Sequence, residues 1–356
     1  MKKLTVLLVA VALALPAICR DDHRVTLLHD DTDSLRVSFV TGELSFGKTT
    51  IAGERFATIA MEGMLPSNPV GRPELPMFSQ LIEVPLCQGF EVRVSDAEYD
   101  TVDAPSLPLA PVQPLRAKSD TTRHPLVIDG TLYATDAYYG EALAVAEPFG
   151  IARDRNLARL QFSPVSYNPV SRKLIVCRRA TVTVVYQGAD AAATKELFER
   201  YHTPAFSSGA NTLNSLYPKS VNTSAPVRYL IVAHSMFRGQ LDTFVQWKRR
   251  KGFIVDVAYT DSTAVGTTAT SISNYVKSQY TNATAAKPAP TYLLLVGDVA
   301  QIPAFTGESD NDHVTDLYYT TWTTGDHVPD CYCGRFSAQN VGQLTPQIQK
   351  TLMYEQ

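Results

Sequence analysis

The stretch Pro290–Pro303, PTYLLLVGDVAQIP, limits most tightly what this chain can fold into. Tyr292 to Val296 is a continuous apolar run, ended by Gly297 and followed at once by Asp298. A run of this kind, bounded by Pro and Gly, fits a strand buried on both faces, as in a parallel sheet. An acid just past the carboxyl end of such a strand sits where open α/β sheets place their ligands. For a lone Asp at that point, capping a turn is the commoner role, and the acidic loop further on is what favours a ligand.

The residues before and after this run extend the same pattern. Tyr229 to Ala233 reads as a strand. Phe237, Leu241, Phe244 and Val245 then fall on one helical face. Gly252 ends that helix and Phe253 to Ala258 reads as a second strand. Ile272, Tyr275, Val276 and Tyr280 mark a second amphipathic helix. Strand–helix alternation implies right-handed crossovers and a mostly parallel sheet between helical layers. Tyr332 to Phe336 offers a further strand, and Thr345-Pro346 reads as the cap and first residue of a last helix carrying Ile348 and Leu352. A sheet of three or four strands looks unfinished, so the chain is expected to be a fragment.

The first half follows a different period. Arg36–Val40, Arg55–Met61, Leu81–Val84, Phe90–Val94, Leu157–Phe162, Leu174–Cys177 and Thr181–Tyr186 are short alternating or β-branched segments. Turn residues separate them, with 22 prolines in the chain concentrated in this half. That spacing predicts an all-β sandwich, jelly-roll-like in outline. Arg72 to Pro76 is a stiff extended connection, Asp103 to Pro125 a long loop, and Ser166 to Pro169 a turn. Ala189 to Arg200 favours helix, and the polar stretch after it reads as an exposed linker. The expected domains are a signal peptide over 1–19, a sandwich over 20–200, a linker over 201–225 and an α/β unit over 226–356.

The N-terminus supports export. Lys2 and Lys3 precede an apolar run, Leu4 to Leu15, which is too short to span a bilayer comfortably. Ile18 before Cys19 argues against a lipoprotein site. A net charge of −3 gives no reason to invoke nucleic acid or an anionic membrane. No transmembrane span is expected.

Four cysteines remain beyond the leader: Cys87, Cys177, Cys331 and Cys333. They are too few for a disulfide scaffold, and Cys331-x-Cys333 is too tight for a zinc knuckle, so core thiols are expected. No glycine-rich phosphate loop, H-E-x-x-H or G-x-S-x-G is present. His313 and His327 lie near the two cysteines, where a nucleophile–base pair is conceivable by composition alone. The loop from Ala304 to Pro329 is acidic, and Asp326 and Asp330 flank a turn opened by Gly325 and closed by Pro329. Hard cations such as Ca²⁺ take six to eight oxygens from carboxylates and carbonyls. Asp298, Asp326, the carbonyl of Val328 and Asp330 are therefore the candidate metal ligands.

Many short segments, in order, resemble the gingipain family of secreted bacterial cysteine endopeptidases, and its lysine-specific branch above all. In the second half they are PVRYLIVA, WKRRKGF, VGTT, YLLLVGD, VTDLYY, GDHVPD, GRFSA and LMYE. In the first they are RPELP, LIEVP, SPVSYNP and RRATVTVVYQGAD, which resemble the family's prodomain. The resemblance implies a β-sandwich prodomain that holds a zymogen inactive, followed by the first subdomain of a caspase-like peptidase. It implies a secreted or surface-borne product of a Gram-negative bacterium that acts on protein or peptide substrates.

In the family the catalytic His and Cys lie in a second subdomain. The resemblance therefore places them beyond Gln356, and Cys331, Cys333, His313 and His327 are not nominated. It also implies a structural Ca²⁺ on Asp298, Asp326, Val328 and Asp330. Thr324 stands where the family has a further Asp, and Asp330 where it has a Glu. Maturation in the family follows basic residues, and only Arg200 and Lys219 are available before Arg228. The alternatives are a secreted, non-catalytic binding or inhibitory protein built from the same parts, or a sortase-type relative.

Overall fold

The computed structural model describes residues 24–116, 120–206, 209–217, 226–307, 313–323 and 325–356. The expected leader, Lys219 and Thr324 lie outside these residues.

The first half is all β. Its strands are β1 (Arg24–Asp30), β2 (Ser34–Val40), β3 (Leu44–Ile51), β4 (Glu54–Met61), β5 (Leu65–Pro66), β6 (Pro76–Val84) and β7 (Gly89–Asp103). After the short helix α1 (Gly130–Ala134) come β8 (Ala144–Ala152), β9 (Arg155–Phe162), β10 (Val165–Asn168) and β11 (Lys173–Gln187). One antiparallel sheet runs β1-β2-β11-β10, with β7 also paired to β11. The other runs β5-β6-β9-β8, and β3-β4 is a separate hairpin.

Alternation on β11 sends Ala180, Val182, Val184 and Tyr186 inward. They meet Ile82, Val84, Ala158, Leu160 and Phe162 from the facing sheet. This is a sandwich, as the period-two pattern predicts. Leu174–Cys177 and Thr181–Tyr186 are not two strands but one, interrupted by register shifts around Arg179. The turn expected at Ser166–Pro169 moves downstream: Val165–Asn168 is itself a strand, and the Asn168 side chain accepts the N–H groups of Val170 and Ser171.

Helix α2 (Ala191–Tyr201) follows, capped by the Asp190 carboxylate on the Ala193 N–H. The chain after it is more ordered than an exposed linker. Leu213 donates to the Leu81 carbonyl, and the Asn214 side chain bridges the Glu83 backbone and Asp30. Residues 212–217 therefore pack on the sandwich, because β6 still had unpaired backbone groups on that side to satisfy.

The second half is α/β. It comprises β12 (Val227–Ala233), α3 (Asp242–Arg250), β13 (Phe253–Tyr259), α4 (Ala269–Thr281), β14 (Pro290–Val296), a two-strand ribbon of β15 (Phe305–Thr306) and β16 (Val314–Thr315), β17 (Tyr332–Phe336) and α5 (Val341–Glu355). The four main strands are all parallel, in the order β13-β12-β14-β17. Helices α3 and α5 cover one face, with Phe244, Val245, Leu344 and Ile348 against Ile231, Leu294 and Val296. Helix α4 covers the other, with Ile272 and Val276 against Leu230, Leu293 and Leu295. Burial on both faces is why β12 and β14 read as unbroken apolar runs.

Two helix starts differ from expectation. Phe237 and Leu241 share a buried face with Phe244, but a 3₁₀ turn over Ser235–Phe237 and positive-φ Gly239 break the helix before Asp242. The last helix opens at Val341 under an Asn340 cap, so Pro346 lies inside it. Lying beyond the first turn, Pro346 removes the ladder bond that its N–H would make to the Gly342 carbonyl.

Candidate functional site at the seam of the two domains

The predicted metal ligands are not brought together. Parallel pairing of β14 with β17 matches Tyr292 to Tyr332 and Val296 to Phe336. Asp330 therefore precedes the start of the sheet, whereas Asp298 lies past its far end. At about 3.3 Å per residue they are separated by more than roughly 20 Å. Asp298 does occupy the carboxyl edge, as the apolar run predicts. There it ties β14 to the chain after β17. Its oxygens accept from Ser337 Oγ at 2.8 Å, Gln339 Nε2 at 2.8 Å and its neighbour's N–H at Val299. The Gln339 bond first, then those of Val299 and Ser337, hold its carboxyl below the usual range.

Asp326, Val328 and Asp330 do share one turn, but the carboxylates are already in use. Asp326 accepts the N–H of Val328 at 3.0 Å and, from the other domain, that of Ile151 at 2.9 Å. Asp330 is buried and accepts the N–H of Arg153 at 2.9 Å. Burial pushes its carboxyl up to about 7, and Asp326 beside it adds to the rise. Among the described residues no group of three or more His, Cys, Asp or Glu side chains is placed to hold a metal. The four predicted donors do not fit a single calcium ion. Proximity in sequence suggested the set, but the crossover between strands returns the chain to the opposite end of the sheet.

Cys331 is a free thiol in the core beneath β14, and burial raises its pKa. Cys333, expected inside, is exposed on β17, the edge strand of the sheet. The His327 ring lies beside Tyr318, and His313 packs over Gly307.

What the acidic turn grips is the tip of the β8–β9 hairpin. Ala152 pairs with Arg155, leaving Arg153 and Asp154 as a two-residue loop. Arg153 takes φ 61°, a conformation that ordinarily calls for Gly or Asn and costs a bulky residue of order 1–3 kcal/mol. Such strain persists only when the surroundings over-determine it. Here they do, since Arg153 is only 2% exposed.

Its guanidinium donates to four carbonyls. Nε reaches Tyr201 at 2.7 Å, Nη1 reaches Pro290 at 2.7 Å and Asp330 at 3.1 Å, and Nη2 reaches Ala289 at 3.1 Å. The rings of Phe206 and Tyr280 lie 5.6 Å from the guanidinium carbon. Tyr280 also donates its hydroxyl to the Arg153 carbonyl at 3.2 Å and stacks on Tyr201 at 4.4 Å. Asp154 is in hydrogen-bond contact with His202 Nδ1 at 2.6 Å, which steadies the other side of the loop.

Three of the carbonyls and the Asp330 carboxylate belong to the second domain, and the arginine to the first. The planar guanidinium suits such a set, because its N–H groups radiate in one plane toward several acceptors. None of Gly150, Arg153, Asp154 or His202 stood out in the sequence. An arginine in a polar turn looks like a solubilising surface residue.

Gly150 makes the approach possible. A Cβ there would stand 2.9 Å from Asp326 Cβ and from Val328 Cγ2. Its φ of 147° adds to the demand for glycine. Gly150→Ala is expected to destabilise the docked arrangement by about 1–3 kcal/mol through overpacking. Calorimetry of the whole chain checks this. An unchanged melting profile would show that the turn moves aside without cost.

The seam thus joins a β-sandwich to a parallel α/β unit through contacts centred on one buried arginine, and so defines a two-domain class of β-sandwich docked on α/β sheet. Comparison with known proteins gives that class its family. The family model for the C25 propeptide matches residues 17–211, and that for peptidase family C25 matches residues 222–356. The chain belongs to the gingipain family, peptidase family C25.

It is 35% identical to Lys-gingipain of Porphyromonas gingivalis over 342 residues, which is 93% of this chain and 20% of that protein. It is 27% identical to gingipain R2 of the same species over 359 residues, covering 98% of this chain and 47% of the relative. A solved structure on the zymogenic latency of gingipain K from P. gingivalis aligns with 47% of this chain and 93% of its own, at 30% identity and a TM-score of 0.44. The chain spans a fifth to a half of the length of these curated relatives.

Proposed function

We propose that this chain is the N-terminal part of an exported, gingipain-type cysteine endopeptidase precursor. In this reading the sandwich is a jelly-roll-like propeptide and the α/β unit is the first subdomain of a caspase-like peptidase. The nucleophilic thiolate, its histidine base and the pocket that selects the substrate lie in sequence beyond Gln356. A thiolate would attack the peptide carbonyl, with backbone donors for the oxyanion.

The observation that carries the reading is the seam. A C25 propeptide is joined to C25 peptidase sequence, and its hairpin is anchored in that peptidase segment by a buried arginine. The cysteines agree with it. Cys331 is locked in the core with a raised pKa, the opposite of an activated nucleophile.

No helix among the described residues is long and apolar enough to cross a membrane. Export by the N-terminal leader is part of the proposal and rests on Lys2 to Cys19.

Maturation would cut the chain between the two units. Arg228 is unsuited, being 1% exposed and inside β12. Arg200 is in α2, with its guanidinium on the Thr281 carbonyl.

The purified 356-residue chain is expected to show no turnover of Lys- or Arg-containing peptide substrates. Any turnover abolished by a thiol-blocking reagent would overturn the assignment of the catalytic pair. Inhibition of a separate peptidase by the purified chain would instead favour the non-catalytic reading.

A further inference from the structure

We propose that the second domain carries an arginine-selective socket, whose ligand is the Arg153 turn of the propeptide. By this proposal the socket keeps the propeptide bound after the chain is cut between the two domains. The proposal rests on the propeptide–peptidase reading above.

The socket is built at the amino end of the parallel sheet. The carbonyls of Ala289, Pro290 and Asp330 converge on one guanidinium, the Asp330 carboxylate takes the backbone N–H of the same residue, and Tyr280 faces it. Ala289 and Asp330 are buried, so their acceptors have no water to fall back on. A lysine would place one compact ammonium where several carbonyls demand a planar fork, and would leave acceptors unpaired. The strained φ of Arg153 points the same way, since the turn is held in a shape that its own sequence does not favour.

Position separates holding from blocking. Ligands of open α/β sheets bind beyond the carboxyl ends of the strands. The Arg153 socket is at the other end, so retention of the propeptide does not require contact with the substrate-facing edge. A cut in the 218–225 segment leaves Tyr201, His202 and Phe206 with the propeptide, and the whole grip survives it.

The test uses the full chain with a site-specific protease sequence placed in residues 218–225 and an affinity tag at the C-terminus. After cleavage, release of the propeptide from the immobilised second domain is followed over time. The wild-type fragments are expected to stay together through gel filtration. Arg153→Lys and Asp330→Ala are each expected to speed release at least tenfold, with both melting transitions of the uncut chain preserved. The two variants lie in different domains, so if one fails to fold the other still decides. Wild-type fragments that separate at once, or an Arg153→Lys variant that releases at the wild-type rate, would overturn the socket. Release is scored without reference to peptidase activity, so the enzymatic reading and this one can fail separately.

Discussion

Phe162→Ala is expected to cost the sandwich about 3–5 kcal/mol, the range for deleting a buried aromatic ring. Phe162 is fully buried at the end of β9 and stacks on Phe39 with ring centroids 4.3 Å apart and planes 7° from parallel. Phe39 in turn meets Phe78 edge-on at 5.3 Å. The three rings come from facing sheets, so the cavity opens where the sheets are joined and neither sheet can close it alone. Urea unfolding checks the prediction: the midpoint of the first domain should fall with its slope unchanged. A shift worth less than about 1 kcal/mol would show that the sheets collapse into the space.

Arg228→Ala is expected to destabilise the second domain by about 3 kcal/mol, the lower end of the range for breaking a buried ion pair. Its guanidinium bonds the Asp256 carboxylate at 2.7 Å, the Gln279 side chain at 2.7 Å, and the carbonyls of Gln279 and Pro288 at 3.2 Å. It thereby links β12, β13, the end of α4 and the entry to β14. Asp256 is only partly buried, so water covers some of the charge left behind, which is why the lower end applies. Adding Asp256→Asn to Arg228→Met should recover part of the loss, since it removes the carboxylate that Arg228 leaves behind and that Lys287 Nζ meets only at 3.7 Å. If that double variant were no better than Arg228→Ala, the cost would lie in the lost carbonyl bonds and not in the ion pair.

These two residues also show how much of the fold the sequence declares. Phe162 was legible because β9 alternates, and alternation in a half-buried strand needs no partner to be recognised. The same holds for Ile272, Val276 and Tyr280 at helical spacing, and for the unbroken run Tyr292–Val296. The long strands β7 and β11 were less legible. Their outer ends are polar and exposed or carry a register shift, so the apolar signal covers only part of each. Arg228 carried no warning of its burial. Its partners are separated from it by up to 60 residues.

The candidate site divides along the same line. That Asp298 follows a buried strand at the carboxyl edge of a parallel sheet is a local property, and the short apolar run bounded by Pro and Gly declares it. Its supposed company with Asp326 and Asp330 is not local. The crossover carries the chain back to the start of the sheet before β17 begins, and so sets these acids at opposite ends.

The role of Arg153 is more distant still. Its backbone strain, its burial and its acceptors are created when a hairpin tip meets carbonyls more than 130 residues further on. Periodicity records which face of an element is buried, because that choice is repeated every two or 3.6 residues. A single side chain crossing between domains leaves no repeat to read, and its function exists only once the two surfaces are in contact.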